Sequence, residues 1–298
     1  MEQVQFSALD QTKLTGSLFE PKQLAHTLLL INSGTGIPRR FYTRFARHAA
    51  ERGFAVLTYD YRGIGDSAPE SLVGYDARYR DWGQQDVPGA INYLTSRYPD
   101  LPLTIIGHST GGQQLGLAEN VDRVQAAAFI AVSTGYWRGM PAIYKWFSLV
   151  AWKLYLPLVS RLYGYAPARK IRWGENLPNG VAKEWGAWCL EQEYLAAYFD
   201  NTGHRTSPDG SPFGPQYFHK VQFPIRAYYF TDDPIATPAN ATPMLALFKR
   251  AAIEKVWINP TELGLKEVGH LGFFWKHIGK SLWDETLTWL QTNATKTL

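Results

Sequence analysis

The chain has 298 residues, 45% hydrophobic and 19% charged, with a net charge of +4. That length suits one large α/β domain, or one domain carrying an insertion, with a substantial core. No Lys/Arg run exceeds two residues, which argues against a nucleic-acid partner. The single cysteine, Cys189, rules out an intramolecular disulfide.

In chain order, the amino-terminal stretch MEQVQFSALDQ has neither a basic nor an apolar leader region, so no signal peptide is expected. With the lone cysteine this points to a reducing, cytoplasmic setting. HTLLLINSG (26–34) reads as a buried strand leaving into a glycine loop, and 41–53 as a helix stopped by Gly53. A strand and turn follow at 54–67, a mostly helical stretch at 82–100, and a strand at 101–109 with a helix able to begin just after it. The next strand spans 124–133. The alternation resumes with a strand at 224–233, a helix at 242–252, a strand at 254–259 and a closing helix at 281–293. Strands alternating with helices predict a mostly parallel central sheet flanked by helices. The break at 136–222 holds six of the eleven tryptophans and predicts an inserted helical lid. The expected core is then 1–135 with 223–298.

The most lipophilic segment, YKWFSLVAWKLYLPLVSRLYGY (144–165), is punctuated by Lys145, Lys153, Pro157 and Arg161. Its charge-free runs fall short of the roughly 20 residues a membrane span needs. Packing against the body of the protein is the first expectation for it, and lying on a membrane surface the second.

The chemistry concentrates at LTIIGHSTGGQ (103–113), where a β-prone run meets Gly107-x-Ser109-x-Gly111. A tight strand-to-helix turn lifts a serine hydroxyl from the carboxyl edge of a sheet. It needs glycine two residues either side, because side chains there would strike the neighbouring strand and helix. A nucleophilic serine requires a base and a group that orients the base. Of seven histidines, His108 is adjacent to Ser109 and would point away from it. His26, His48, His204, His219 and His277 suit surface or packing roles. His270, between Gly269 and Gly272 after the last strand, is the candidate base. Asp233, at the end of IRAYYFTDDP and biased to an extended backbone by Pro234, is the candidate acid. Asp232 is read as serving the turn. The expected oxyanion donors are the backbone N–H of Thr110 and that of Gly34, with Thr35 next in line. GTGIPR lacks the third glycine of a dinucleotide fingerprint, and no phosphate loop or HExxH metal motif occurs. No cofactor or metal is expected.

These residues resemble the α/β-hydrolase superfamily over nearly the whole chain. NSGTG stands where that family has its oxyanion loop, with Asn32-Ser33 in place of the usual His-Gly. DYRGIGDS resembles its turn after the fourth strand, GHSTGG its nucleophile elbow, TDDPIATP its acid loop and VGHLGFF its histidine loop. More narrowly, the set is similar to bacterial hydrolases related to serine aminopeptidase S33-like and lysophospholipase-like enzymes. The resemblance implies an α/β-hydrolase fold with a cap at 136–222 and acyl transfer through Ser109, Asp233 and His270.

A small-molecule ester with a hydrophobic group is the default substrate, since esters are easier to cleave than amides. Thr35, Trp137 and Trp146 are candidate pocket residues, with Trp152, Trp185 and Trp188 as further ones that could equally form the lid's own core. Aminopeptidase, amidase or acyltransferase chemistry is the first alternative; an acidic pocket built from Glu184, Glu191 or Glu193 would favour capture of a peptide amino terminus. A non-catalytic ligand or lipid-surface binder is the second.

Overall fold

The computed structural model describes residues 1–171, 174–199 and 206–294; His204 and Trp173 lie outside them. A hairpin opens the chain, β1 (Glu2–Ser7) pairing antiparallel with β2 (Lys13–Phe19). Then come β3 (Thr27–Asn32), α1 (Thr43–Glu51), β4 (Phe54–Tyr59), α2 (Val87–Arg97) and β5 (Leu103–His108). The short α3 (Thr110–Gln113) and β6 (Val124–Ile130) follow. Between β6 and the next strand of the sheet lie α4 (Ala142–Val150), α5 (Leu156–Tyr163) and α6 (Asn179–Leu190). The chain closes with β7 (Ile225–Phe230), α7 (Pro238–Leu245), β8 (Ile253–Ile258) and α8 (Lys280–Ala294).

These eight strands form one sheet in the order β1-β2-β4-β3-β5-β6-β7-β8, and a separate two-residue pairing joins Tyr165–Ala166 to Leu177–Pro178. Every pairing from β4 through β8 is parallel, and β2 alone runs against its neighbours. Period-two alternation of the strands divides their side chains between two cores. Leu28, Leu30, Leu57, Ile105 and Phe129 face one side with Ile91 and Leu94 of α2. Leu29, Ile31, Val56, Ile106 and Ile130 face the other with Phe45 of α1 and Trp283 and Leu287 of α8. Sheet strands buried on both faces read as unbroken apolar runs, which is why β3 to β6 could be read from the residues.

The stretch between β6 and β7 is mostly helical among the described residues. Its buried residues Trp152, Leu156, Val181 and Trp188 join the first of these two cores rather than forming a separate one. Two expectations shift. The helix expected at 242–252 lies earlier, at 238–245, because the Thr237 side chain caps it by accepting from Asn240 N–H, and Pro238 fits its first turn. The stretch expected as helix at 82–100 begins at Tyr79 and includes a π turn at Trp82–Asp86.

Candidate active site

The elbow obeys its steric requirement. Ser109 sits at φ 50°, ψ −116°, a strained backbone for a non-glycine residue. It is held there by its own N–H donating to the Ile130 carbonyl (2.9 Å) and its carbonyl accepting from Gly112 N–H (3.0 Å). A Cβ on Gly107 would lie 2.6 Å from the Gly112 backbone, and one on Gly111 would lie 2.1 Å from the Asn32 carbonyl oxygen. Both glycines are therefore imposed by backbone atoms that cannot yield.

Ser109 Oγ lies 2.9 Å from His270 Nε2, and His270 Nδ1 lies 2.7 Å from Asp233 Oδ2. The other carboxylate oxygen of Asp233 accepts from Ile235 N–H (2.8 Å) and Ala236 N–H (3.1 Å). Burial alone would raise this carboxyl's pKa. The facing imidazole and the two amide N–H groups outweigh it and hold the group below its ordinary value, so it is a carboxylate. A carboxylate only accepts, so the imidazole proton sits on Nδ1 and the Nε2 lone pair faces the serine hydroxyl. Asp232, expected to serve its own turn, instead accepts from Val268 N–H (2.8 Å) and Gly269 N–H (3.0 Å) and pins the loop that carries His270.

His108 is fully buried and points away from Ser109, as its place on the strand end predicts. Its Nε2 donates to the His270 carbonyl (3.0 Å), which leaves Nδ1 to accept from Tyr42 Oη–H (2.8 Å). Burial, and next the neighbouring His270, push the His108 imidazole down to about 3, so it stays neutral. Of the remaining histidines, His26 and His219 are exposed, while His48 is buried and bonded to Asp284.

Tyr42 Oη also accepts the N–H of Gly34 (2.9 Å). The first-choice oxyanion donor is thus engaged inside the protein, a correction that follows from a tyrosine eight residues downstream turning back onto the loop. Among the described residues no acceptor meets the N–H of Thr35. Thr110 opens α3, so its N–H has no partner within the helix. The hydroxyls of Thr35 and Thr110 are joined to each other and both to Tyr79 Oη, with Thr35 Oγ1 at 2.6 Å from the phenol. The sequence reading missed Tyr79, whose local sequence carries no motif. It is fully buried against Trp188, with ring centroids 4.9 Å apart.

The tryptophans divide. Trp152 and Trp188 are buried in the core, Trp137 is half-buried, and Trp146 is 62% exposed with its ring 6.3 Å from that of Trp137. Trp146 therefore does not line an enclosed pocket. The segment carrying Trp137 is tied to the acid loop: Asn240 Nδ2 donates to the Tyr136 and Ile235 carbonyls, and Thr237 Oγ1 to that of Gly139. Glu184 is buried and paired with Arg80 through its guanidinium and its backbone N–H, whereas Glu191 and Glu193 are exposed. The acidic pocket considered for a peptide amino terminus does not form from these three. Cys189 is buried, its thiol pushed well up by burial and hence unreactive. No cluster of metal-binding side chains occurs among the described residues.

Sheet order and helix placement make the protein an α/β hydrolase. Residues 23–183 match the family described as serine aminopeptidase, S33, and the chain belongs to that family. The quorum-quenching protein AidA of Acinetobacter baumannii (strain MDR-ZJ06) is 32% identical over 130 residues, a match spanning 41% of this chain and 41% of that protein. Two solved structures share the fold. The α/β hydrolase GrgF from Penicillium sp. sh18 has a TM-score of 0.56 at 21% identity, with 99% of each chain covered. A thermostable carboxyl esterase from Bacillus coagulans has a TM-score of 0.60 at 16% identity, with 98% of each chain covered.

Proposed function

We propose that the protein is a serine esterase that cleaves a carboxylic ester bearing a hydrophobic group, with region 136–222 as the cap over its site. The observation that carries this reading is the continuous chain from Asp233 through His270 to Ser109 Oγ, with the serine in a strained backbone at the edge of the sheet.

The Nε2 lone pair of His270 takes the Ser109 proton as Oγ forms a bond to the ester carbonyl carbon. The carbonyl oxygen becomes an oxyanion and accepts from the N–H groups of Thr110 and Thr35. Thr35 replaces Gly34 in this role, since the Gly34 N–H faces Tyr42. Asp233 stabilises the imidazolium and fixes its tautomer. His270 Nε2–H then protonates the departing alkoxide as its C–O bond breaks. Water, deprotonated by the same nitrogen, attacks the acyl carbon; the C–Oγ bond then breaks, Ser109 Oγ takes the proton back from His270 Nε2, and the acid leaves. The sequence needs no metal or organic cofactor. The pairing of Glu184 with Arg80 weighs against aminopeptidase action, and ester chemistry is easier for this site than amide chemistry.

The partial likeness to a quorum-quenching protein favours one second reading, in which the substrate is a cell-to-cell signal. The same steps open a lactone, which is a cyclic ester. A fluorophosphonate probe, with a panel of p-nitrophenyl esters, a lactone and aminoacyl amides, tests both readings beside Ser109→Ala. The reading expects labelling and ester or lactone turnover in the natural protein and neither in the variant. Turnover by Ser109→Ala at the natural rate would overturn it.

A further inference from the structure

The helical stretch from 142 to 163 runs unbroken through α4, a π turn at Ala151–Tyr155 and α5. The π turn ends two residues before Pro157, whose missing N–H cannot donate into a regular ladder, so the widened turn accommodates it. At about 1.5 Å per residue the stretch is about 33 Å long. It has two faces. Ser148, Ala151, Trp152, Leu156 and Ser160 are buried against the body of the protein. The opposite face leaves Ile143, Trp146, Val150, Leu154, Leu158 and Leu162 between 53% and 78% exposed. Apolar side chains at spacings of three and four residues along a whole helix form one continuous stripe, far larger than the scattered surface leucines of an ordinary protein.

Charge gives the stripe a direction. From residue 138 to 171 the sequence holds six lysines and arginines and no aspartate or glutamate. Lys153 and Arg161 are exposed and Lys145 half-exposed on the stretch itself. Tyr144 and Tyr163, both partly exposed, add amphipathic rings. No helix among the described residues is long and apolar enough to cross a membrane, and the buried inner face keeps this one lying along the protein surface. An apolar stripe bordered by cations on a flat-lying helix matches the boundary between anionic headgroups and acyl chains. Pairing with a second copy of the same face would bring the three cations of each copy together without a counter-charge.

From this arrangement we infer that the outer face of 142–163 docks the protein on an anionic lipid bilayer. The apolar side chains enter the acyl boundary, and Lys145, Lys153 and Arg161 meet the headgroups. This inference does not depend on Ser109, so its failure and that of the esterase reading are separable.

The test is co-sedimentation with two sets of vesicles, phosphatidylcholine alone and phosphatidylcholine mixed with phosphatidylglycerol. Binding should favour the mixed vesicles and weaken with added salt, and Ser109→Ala should bind as the natural protein does. Exchanging Lys145, Lys153 and Arg161 for Gln should weaken binding to the mixed vesicles by roughly a hundredfold. Exchanging Val150, Leu154 and Leu158 for Ser should weaken it at least as much, roughly a hundredfold or more. Thermal unfolding shows that each variant is folded. Failure to pellet with mixed vesicles overturns the inference. So does a natural protein that is dimeric by light scattering while the serine variant is monomeric, which would assign the face to a second copy.

Discussion

The carboxyl edge of the sheet and the 142–163 helix present opposite solutions to the same surface. At the edge, the carboxylate of Asp233 and both ring nitrogens of His270 have partners, and Ser109 is fixed by backbone bonds on both sides. On the helix, a whole apolar face stands in water. The edge is organised before any ligand arrives, so little reorganisation remains for a reaction there. The helix keeps free energy in reserve, released only when something covers its outer face.

The edge should therefore be intolerant of small changes. The largest effect is expected for Asp233→Asn. The amide would offer a donor where the imidazole Nδ1–H needs an acceptor, favouring the wrong tautomer at Nε2. Ester kcat should fall by about 10⁴, as steady-state kinetics would show; a loss under tenfold would remove Asp233 from the proposed mechanism. Next comes Gly111→Ala, whose new methyl would stand 2.1 Å from the Asn32 carbonyl oxygen. The overlap is with backbone, so the elbow must shift. A stability loss of roughly 3 kcal/mol or more is expected in denaturant titration, from strain at a constrained backbone; an unchanged midpoint would mean that the elbow is pliant.

His108 gives the stability of the fold a pH signature. Its folded pKa of about 3 lies below the ordinary 6.5. Between those values the unfolded chain binds the proton and the folded one does not. The associated stability is therefore complete above about pH 6.5 and declines on acidification towards pH 3, with a slope of roughly 1.4 kcal/mol per pH unit within the window. Denaturant midpoints measured between pH 4 and 7 should show a steeper slope in the natural protein than in His108→Gln, which has no titrating group at that position. Equal slopes would place the acid sensitivity elsewhere. Smaller still is the effect of Tyr79→Phe, which removes a phenol hydroxyl bridging Thr35 and Thr110. If the bridge sets the spacing of the two proposed oxyanion donors, kcat should fall about tenfold with KM little changed. A change in KM alone would make Tyr79 part of a binding surface instead.

What could be read from the residues follows the same division. Ser109 and Asp233 could be singled out because each follows closely on a buried strand, Ser109 directly after β5 and Asp233 three residues after β7, and Gly107 and Gly111 answer to local sterics; His270 lies on a loop twelve residues past β8 and was marked only by its flanking glycines. Gly34 was misjudged because the N–H that occupies Tyr42 Oη is revealed only when α1's approach folds that tyrosine back. Tyr79 and the strut formed by His108 were invisible for the same reason: their partners lie 31 to 162 positions away. The helical and aromatic character of the stretch between β6 and β7 could be read from its residues. Which tryptophans it buries could not, because a helix rich in apolar residues on every side carries too little contrast to reveal its inner face.

The smallest effect is expected on that helix. Leu158 is 60% exposed, between Leu156 and Ser160, which are both buried on the opposite side. The folded and unfolded chains leave most of its side chain in water alike, so Leu158→Ser removes little from their difference. Stability of the protein alone should change by less than about 0.5 kcal/mol. The same denaturant titration in the presence of anionic vesicles should separate the two proteins, because a surface that binds only the folded state adds to its stability in proportion to affinity. If Leu158→Ser cost roughly 2 kcal/mol without lipid, the stripe would already be covered by protein, and the contrast between the two regions would disappear.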